Sequence, residues 1–191
     1  MNAPWDVLSL PELSDRIWSA LTVASQPGLH PWRTPVLATV GAHGPSVRTV
    51  VLREFNRPGF EVIAFSDARS AKVSELLDHP EAAWLFYDPI ERVQLRARTA
   101  IRIHGRDPVA QAYWSRLPSE QRGLYLSRRS PGEGIERPNI ATSLNESDEQ
   151  QFAVLIGVVQ ELDWLWLGPE GHRRALFLRD GMEWKGRWVE P

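Results

Sequence analysis

The run VQLRARTAIRIH, residues 93–104, alternates in character along its whole length. Val93, Leu95, Ala97, Thr99, Ile101 and Ile103 fall on one face, and Gln94, Arg96, Arg98, Arg102 and His104 on the other, interrupted only by Ala100. A period of two belongs to a strand, because successive side chains point to opposite sides of the backbone. This strand has one buried face and one polar, strongly basic face.

Working outward, AAWLFYD at 82–88 is a second strong strand signal, delivered by Pro80. Upstream, Thr34–Val40 reads as a short strand turned by residues 41–45. SVRTVVLREF, 46–55, reads as one β-rich run, closed by Asn56-Arg57-Pro58-Gly59 and paired as a hairpin with Phe60–Phe65. Downstream, Phe152–Trp166 is strand-like, and residues 173–191 read as two strands joined at Asp180-Gly181. Helices are expected after Ser9, where Glu12 completes a capping box and Leu13, Ile17, Leu21 and Ala24 recur at helical intervals. Others are expected over Ala68–Leu77, from Asp107 through Arg116, and briefly after Pro118. The count is seven or eight strands and three or four helices. Short turns between consecutive strands favour an antiparallel sheet, and closing it into a barrel removes exposed edges.

Composition narrows the function classes. There is no cysteine, which excludes disulfides, thiolate nucleophiles, iron–sulfur clusters and cysteine-based zinc sites. A net charge of −2 offers no global field for nucleic acid. The opening residues lack a signal-peptide pattern and no apolar stretch is long enough to span a bilayer, so a cytoplasmic protein without membrane contact is expected. The whole of 1–191 is read as one domain, with an N-terminal helical segment over 1–30 and a long loop over 127–150 that is basic and Pro/Gly-rich first, then acidic. Nine tryptophans are unusual, and four of them lie between Trp164 and Trp188, which suits a core or the wall of a flat ring.

The five histidines show no metal-binding spacing, and no nucleophile elbow, P-loop or dinucleotide glycine motif occurs. What remains is cations and hydroxyls on strands. Arg48 and Arg53 flank TVVL, and five residues apart on one strand they face opposite sides unless a bulge or sheet edge intervenes. One arginine can then meet a phosphate while the backbone meets a ring. Ser66, Arg69, Ser70 and Lys72 follow the next strand at a helix start, a setting for a phosphate monoester or equally for a solvated capping segment.

The order of these pieces is specific. R-T-V-V-L-R (48–53), F-S-D-x-R-S-x-K (65–72), A-W-L-F-Y (83–87), E-R-V-Q-L (91–95), A-Y-W-S-R-L-P (112–118), W-L-W-L-G (164–168) and W-K-G-R-W-V-E-P (184–191) follow one another along the chain. Together they resemble the pyridoxamine 5′-phosphate oxidase family, more narrowly the FMN-binding split-barrel proteins related to that oxidase. The resemblance implies a six-stranded antiparallel Greek-key split barrel with peripheral helices. It also implies a homodimer with FMN at the subunit interface.

Carried over residue by residue, it implies that Arg48, Thr49, Val50, Val51, Leu52 and Arg53 run along the flavin, with Arg48 on the phosphate. Phe65 and Ser66 match a Tyr-Thr pair, Lys72 matches the phosphate lysine, and Arg69 stands in for an arginine replaced by Ala71. Gln94 matches a glutamine near the ring from the partner subunit, Trp166 a tryptophan beside the isoalloxazine, and Ser130 the serine of a Gln-Ser pair whose first member is Arg129 here. Tyr113, Arg116 and Arg174 match substrate-binding positions. The C-terminal pattern departs: H-R-R-A-L-F places His172 and Arg174 where the family has arginine and histidine, and Leu176 replaces a flavin-contacting arginine. The expectation is an FMN-dependent oxidoreductase acting through flavin N5 on a small molecule, with NAD(P)H as a candidate electron donor. The alternatives are a flavin carrier or sensor, a genuine pyridoxamine 5′-phosphate oxidase, and a barrel binding haem or another ligand.

Overall fold

The alternating run forms a single strand with the expected bounds, and its buried positions are the apolar ones. The computed structural model describes residues 5–127, 129–136 and 151–191. Among these, nine strands build one antiparallel sheet: β1 (Val36–Gly41), β2 (Gly44–Thr49), β3 (Glu54–Asn56), β4 (Glu61–Asp67), β5 (Glu81–Asp88), β6 (Val93–His104), β7 (Phe152–Gly168), β8 (Gly171–Asp180) and β9 (Glu183–Val189). Four α-helices accompany them: α1 (Leu10–Ser25), α2 (Ala71–Asp78), α3 (Pro108–Arg116) and α4 (Ser119–Arg122). The strand order is β2-β1-β5-β6-β7-β4-β3, with β8 on β7 and β9 on β8. This is the expected split barrel, with nine strands among the described residues in place of six, and the β8–β9 hairpin prolongs the sheet.

The split lies in β7. One edge of β7 carries β4 over residues 152–158, then β8 over 161–168, while β6 runs along the other edge throughout. The β6–β7 register shifts between Arg98 and Thr99, where the sheet bends away from one partner toward the next. Gly157 permits the close approach there, since a Cβ would meet Thr99 Oγ1 at 3.1 Å and Val62 at 3.2 Å. Thr99 is buried on the apolar face because its hydroxyl is satisfied, accepting from Trp84 Nε1 at 2.9 Å.

The run 46–55 is not one strand, which corrects the expectation and raises the count by one. The β1–β2 ladder ends at Val36↔Thr49 because the next residue of β1's side is Pro35, which can accept from Val50 N–H at 3.0 Å but has no N–H to return. The chain then crosses the barrel end. Leu52 is fully buried, its N–H donates to the Arg33 carbonyl, and Arg53 N–H donates to the Ile63 carbonyl to open the β3–β4 hairpin.

α1 closes one side of the barrel with Leu13, Ile17, Trp18, Leu21 and Ala24, all buried, and its capping box forms as expected. Fully burying each large aliphatic chain contributes roughly 1.5–3 kcal/mol. α3, capped by Asp107, covers a second cluster of Ile63, Phe152, Val154 and Ile156 on the β4–β7 half. Among the described residues no helix is long and apolar enough to cross a membrane. Residues 128 and 137–150 of the expected loop lie outside the described residues.

Candidate functional site

β4 presents consecutive residues to opposite sides, so Phe65 and Ser66 serve two different places. On Ser66's side a cradle forms at the start of α2. Lys72 Nζ donates to Ser66 Oγ at 3.1 Å and to Ser70 Oγ at 3.2 Å, and the two hydroxyls lie 2.9 Å apart. Both serines are 4% exposed. Ser70 is the N-cap of α2 yet makes no side-chain cap, so its hydroxyl is committed to the lysine instead of the first-turn amides. Burial and the neighbouring charge of Arg48 push the Lys72 ammonium below its ordinary value, against the pull of Asp67 and Glu75.

Arg48 reaches the same region from the inner face of β2. Its Nη2 donates to Glu75 Oε2 at 2.8 Å and to Ser46 Oγ at 2.5 Å, and its Nη1 donates to the Thr39 hydroxyl. Thr39 in turn donates to Glu75 Oε2 at 2.5 Å. The Thr39 hydroxyl and Arg48 hold the Glu75 carboxyl below the usual range despite its burial. Thr39, Ser46 and Glu75 were not anticipated. Glu75 was readable, because three residues beyond Lys72 on a helix it lies on the same face.

Arg69 is turned to other partners. Its Nε and Nη2 donate to the two carboxylate oxygens of Asp67 at 3.0 and 2.7 Å, and Nη2 also donates to the Ser127 carbonyl at 2.9 Å. It therefore ties the segment after α4 to the start of α2. Ser130 lies in that segment, its N–H donating to Glu133 Oε2 at 3.1 Å.

Between the cradle and β3, Val50 and Leu52 direct their amides inward to Pro35 and Arg33, while the Val51 amide makes no backbone hydrogen bond to the described residues. Thr49 is exposed, and Val50 and Val51 are half-buried. This leaves a stretch of edge backbone open to a flat ligand. The break at 50–53 is the sheet edge that separates Arg48 from Arg53.

Arg53 joins Phe65 in a different place, a cavity of about 500 Å³ lined also by Glu54, Tyr113, Arg116 and Gln121. Arg53 Nη1 donates to Gln121 Oε1 at 3.0 Å, and its guanidinium lies 5.5 Å from the Phe65 ring centre. Phe65 and Tyr113 meet edge to face at 5.5 Å, with Arg116 over the Tyr113 ring at 4.8 Å. Burial, then the Glu54 carboxylate, push the Tyr113 hydroxyl up to about 12. The structure thus groups Arg53 and Phe65, expected on the cofactor, with Tyr113 and Arg116, expected on the substrate.

Gln94, Trp166 and Arg174 do not approach the cradle within one protomer. Gln94 shares an outer-face rung with Tyr87, Leu165 and Arg174. Trp166 packs against the core on the other side of the sheet. Arg174 donates from Nε and Nη2 to the buried Asp163 at 2.9 and 2.7 Å, and Arg96 joins the same carboxylate. Burial alone would raise Asp163, but Arg174 and Arg96 outweigh it and hold the carboxyl below its ordinary range. Arg173 sits over Trp188 at 4.4 Å, and His172 is exposed.

The half-buried lysine, paired serine hydroxyls, second cation and helix N-terminus of the cradle fit a phosphate monoester. On this split-barrel fold, that combination is what an FMN phosphate would require. Residues 16–105 match the family model for pyridoxamine 5′-phosphate oxidase, FMN-binding domain. A pyridoxine/pyridoxamine 5′-phosphate oxidase of Coxiella burnetii is 27% identical over 191 aligned residues, covering 94% of this chain and 95% of that one. Its counterpart in Rhodopseudomonas palustris is 36% identical over 115 residues, 59% of this chain and 52% of the other. A solved pyridoxamine 5′-phosphate oxidase-related, FMN-binding protein of Nostoc punctiforme superposes over all of both chains, with a TM-score of 0.76 and 26% identity. PhzG of Burkholderia lata shares the fold, with a TM-score of 0.68 at 19% identity, over 100% of this chain and 98% of that one. Over residues 16–105 the chain is similar to the FMN-binding domain of the pyridoxamine 5′-phosphate oxidase family, and these matches support FMN as its cofactor.

Proposed function

We propose that this protein is an FMN-dependent oxidoreductase of the cytoplasm that works as a homodimer on a small molecule. The observation that carries the reading is the buried cluster of Lys72, Ser66 and Ser70 at the start of α2, with Arg48 beside it. In this reading Lys72 and the two hydroxyls hold the flavin phosphate, Arg48 supplies the second positive charge, and the open backbone of 49–53 lies along the ring. Bound flavin supplies hydride transfer at N5. The chain's own groups then bind, orient and exclude water. Arg53, Tyr113 and Arg116 hold substrate in the adjoining cavity, and Phe65 gives it an apolar wall.

The dimer reading rests on the outer sheet face. Val40, Val47 and Tyr87 are 49%, 66% and 46% exposed there, an apolar surface that a second subunit would cover. Gln94 lies on the same face, so in a dimer it can reach the flavin of the partner subunit while Trp166 stays with its own core. Oxidation of pyridoxamine 5′-phosphate itself is disfavoured by one observation, the engagement of Arg174 with Asp163 on the outer face.

Purification followed by flavin release and chromatography tests the cofactor assignment to these residues. A yellow protein containing stoichiometric FMN is expected, and a colourless protein that takes up no FMN would refute the proposal. Flavin reduction by NADPH or NADH with reoxidation by oxygen is the outcome expected of an enzyme; a flavin that no donor or substrate reduces marks a carrier.

A further inference from the structure

The cavity beside β3 has a charge pattern that its assignment to substrate does not explain. Three half-buried arginines elsewhere in the fold are ion-paired: Arg48 with Glu75, Arg69 with Asp67, Arg174 with Asp163. Half-buried Arg53 and Glu54 and exposed Arg116 line one cavity, and none of them forms an ion pair with a described residue; Arg53 donates to Gln121 and Glu54 acts on the Tyr113 hydroxyl. Charges of both signs without an ionic partner around a cavity suit a ligand that supplies one.

The surroundings are also less positive than the arginines suggest. Ser25 and Gln26, at the C-terminal end of α1, line the cavity, as do Arg116 and Leu117 at the C-terminal end of α3. A helix C-terminus carries roughly half a negative charge and favours cations. Arg33, also in the lining, spends its Nη1 on the carbonyls of Ala24, Ser25 and Gln26, and Arg116 Nε donates to the Ala112 carbonyl. Those two arginines answer helix ends. Arg53 donates to Gln121 Oε1 and lines the cavity with Glu54, its sequence neighbour, and the lysine and paired serines of the Ser70–Lys72 cradle have no counterpart there.

Resting on the oxidoreductase reading above, we propose that this cavity takes a small planar amine bearing a single carboxylate, not a phosphate monoester. The carboxylate pairs with Arg53 and Arg116, the ammonium with Glu54, and the ring lies against Phe65 and Tyr113. A dianion would gain from Arg53 but meet the Glu54 carboxylate. Glu54 is thereby a specificity-determining residue.

The test is calorimetric titration of the purified protein with para-(aminomethyl)benzoate, benzoate and para-(aminomethyl)phenyl phosphate. Flavin content is read from the absorption spectrum of each sample. The amino acid is expected to bind about 10-fold more tightly than benzoate, one charge-assisted hydrogen bond's worth, and more tightly than the phosphate. In Glu54→Gln the advantage over benzoate should disappear and the phosphate should gain; in Arg116→Ala both carboxylates should weaken. Equal binding of the two carboxylates, tighter binding of the phosphate by the unmodified protein, or no binding of any probe would each overturn the proposal. Failure of the cofactor assignment is read separately, as protein that lacks and will not take up FMN whatever the probes do.

Discussion

The cradle around Lys72 and the cavity around Arg53 stand at the two ends of the same six residues, 48–53, and they handle charge in opposite ways. In the cradle every ionic group already has a partner: Arg48 is fixed by Glu75, Thr39 and Ser46, and Lys72 by two serines. In the cavity Arg53 and Arg116 lean on aromatic rings and donate only to neutral groups, and Glu54 pairs with neither. A site whose groups are held in place needs little reorganisation on binding and suits one constant ligand, such as the phosphate of a cofactor. A site with unmatched charges is completed by its ligand and can discriminate among ligands, because a wrong partner leaves a charge unmet.

The largest expected effect breaks the cradle. Replacing Arg48 and Lys72 together by methionine removes two charge-assisted contacts, each worth about 1.5–3 kcal/mol, so FMN affinity should fall at least 100-fold by fluorescence-quenching titration. Unchanged flavin content in a folded double variant would show that the phosphate sits elsewhere.

Next in size is a contrast in stability. Glu75→Gln disturbs a satisfied network and should cost about 1–2 kcal/mol, lowering Tm by roughly 2–6 °C. Because the carboxyl is held below its ordinary range, its contribution is complete above the unfolded value and fades as pH falls through the lower folded one. The variant should therefore lose part of the acid-side decline seen in the parent protein. Glu54→Gln removes a charge that has no ionic partner and keeps a group able to accept from Tyr113, so it should leave Tm within about 1 °C. If the two variants proved equally destabilising in differential scanning calorimetry, the distinction between the regions would collapse.

The smallest effect concerns pH. Lys72 is depressed by burial and by Arg48, so it gives up its proton at lower pH than an exposed lysine. FMN affinity should decline as pH rises through that depressed value, and Lys72→Met should flatten the decline. An alkaline limb identical in the variant and its parent would mean that another group titrates.

Much of this was legible in the chain. The alternation of 93–104 yielded β6 with its true ends and faces, and the capping box at Ser9 and the Asp180-Gly181 turn formed where they were expected. The phosphate-end residues were found because their positions are local: Ser66, Ser70 and Lys72 are separated by single helical and strand steps. The division of 46–55 was missed although its cause, Pro35, lies in plain sight, since the proline acts on a strand it pairs with and not on its own neighbours. Asp163 and Glu54 carried no signal, because their roles depend on what other strands and helices bring beside them.

By itself, the sequence determined the alternating strands, the antiparallel class, the absence of thiol chemistry and the cluster of hydroxyls and cations that announces a phosphate. Periodicity, turn chemistry and composition are properties of neighbouring residues, so they survive without a fold. Only the tertiary structure decided that Arg48 is ion-paired while Arg53 meets a neutral glutamine, that Phe65 and Ser66 serve different sites, and that two helix C-termini border the cavity. Those outcomes depend on which groups burial brings within a few ångströms of one another, and residues as far apart in sequence as Thr39 and Glu75 meet only when the barrel closes.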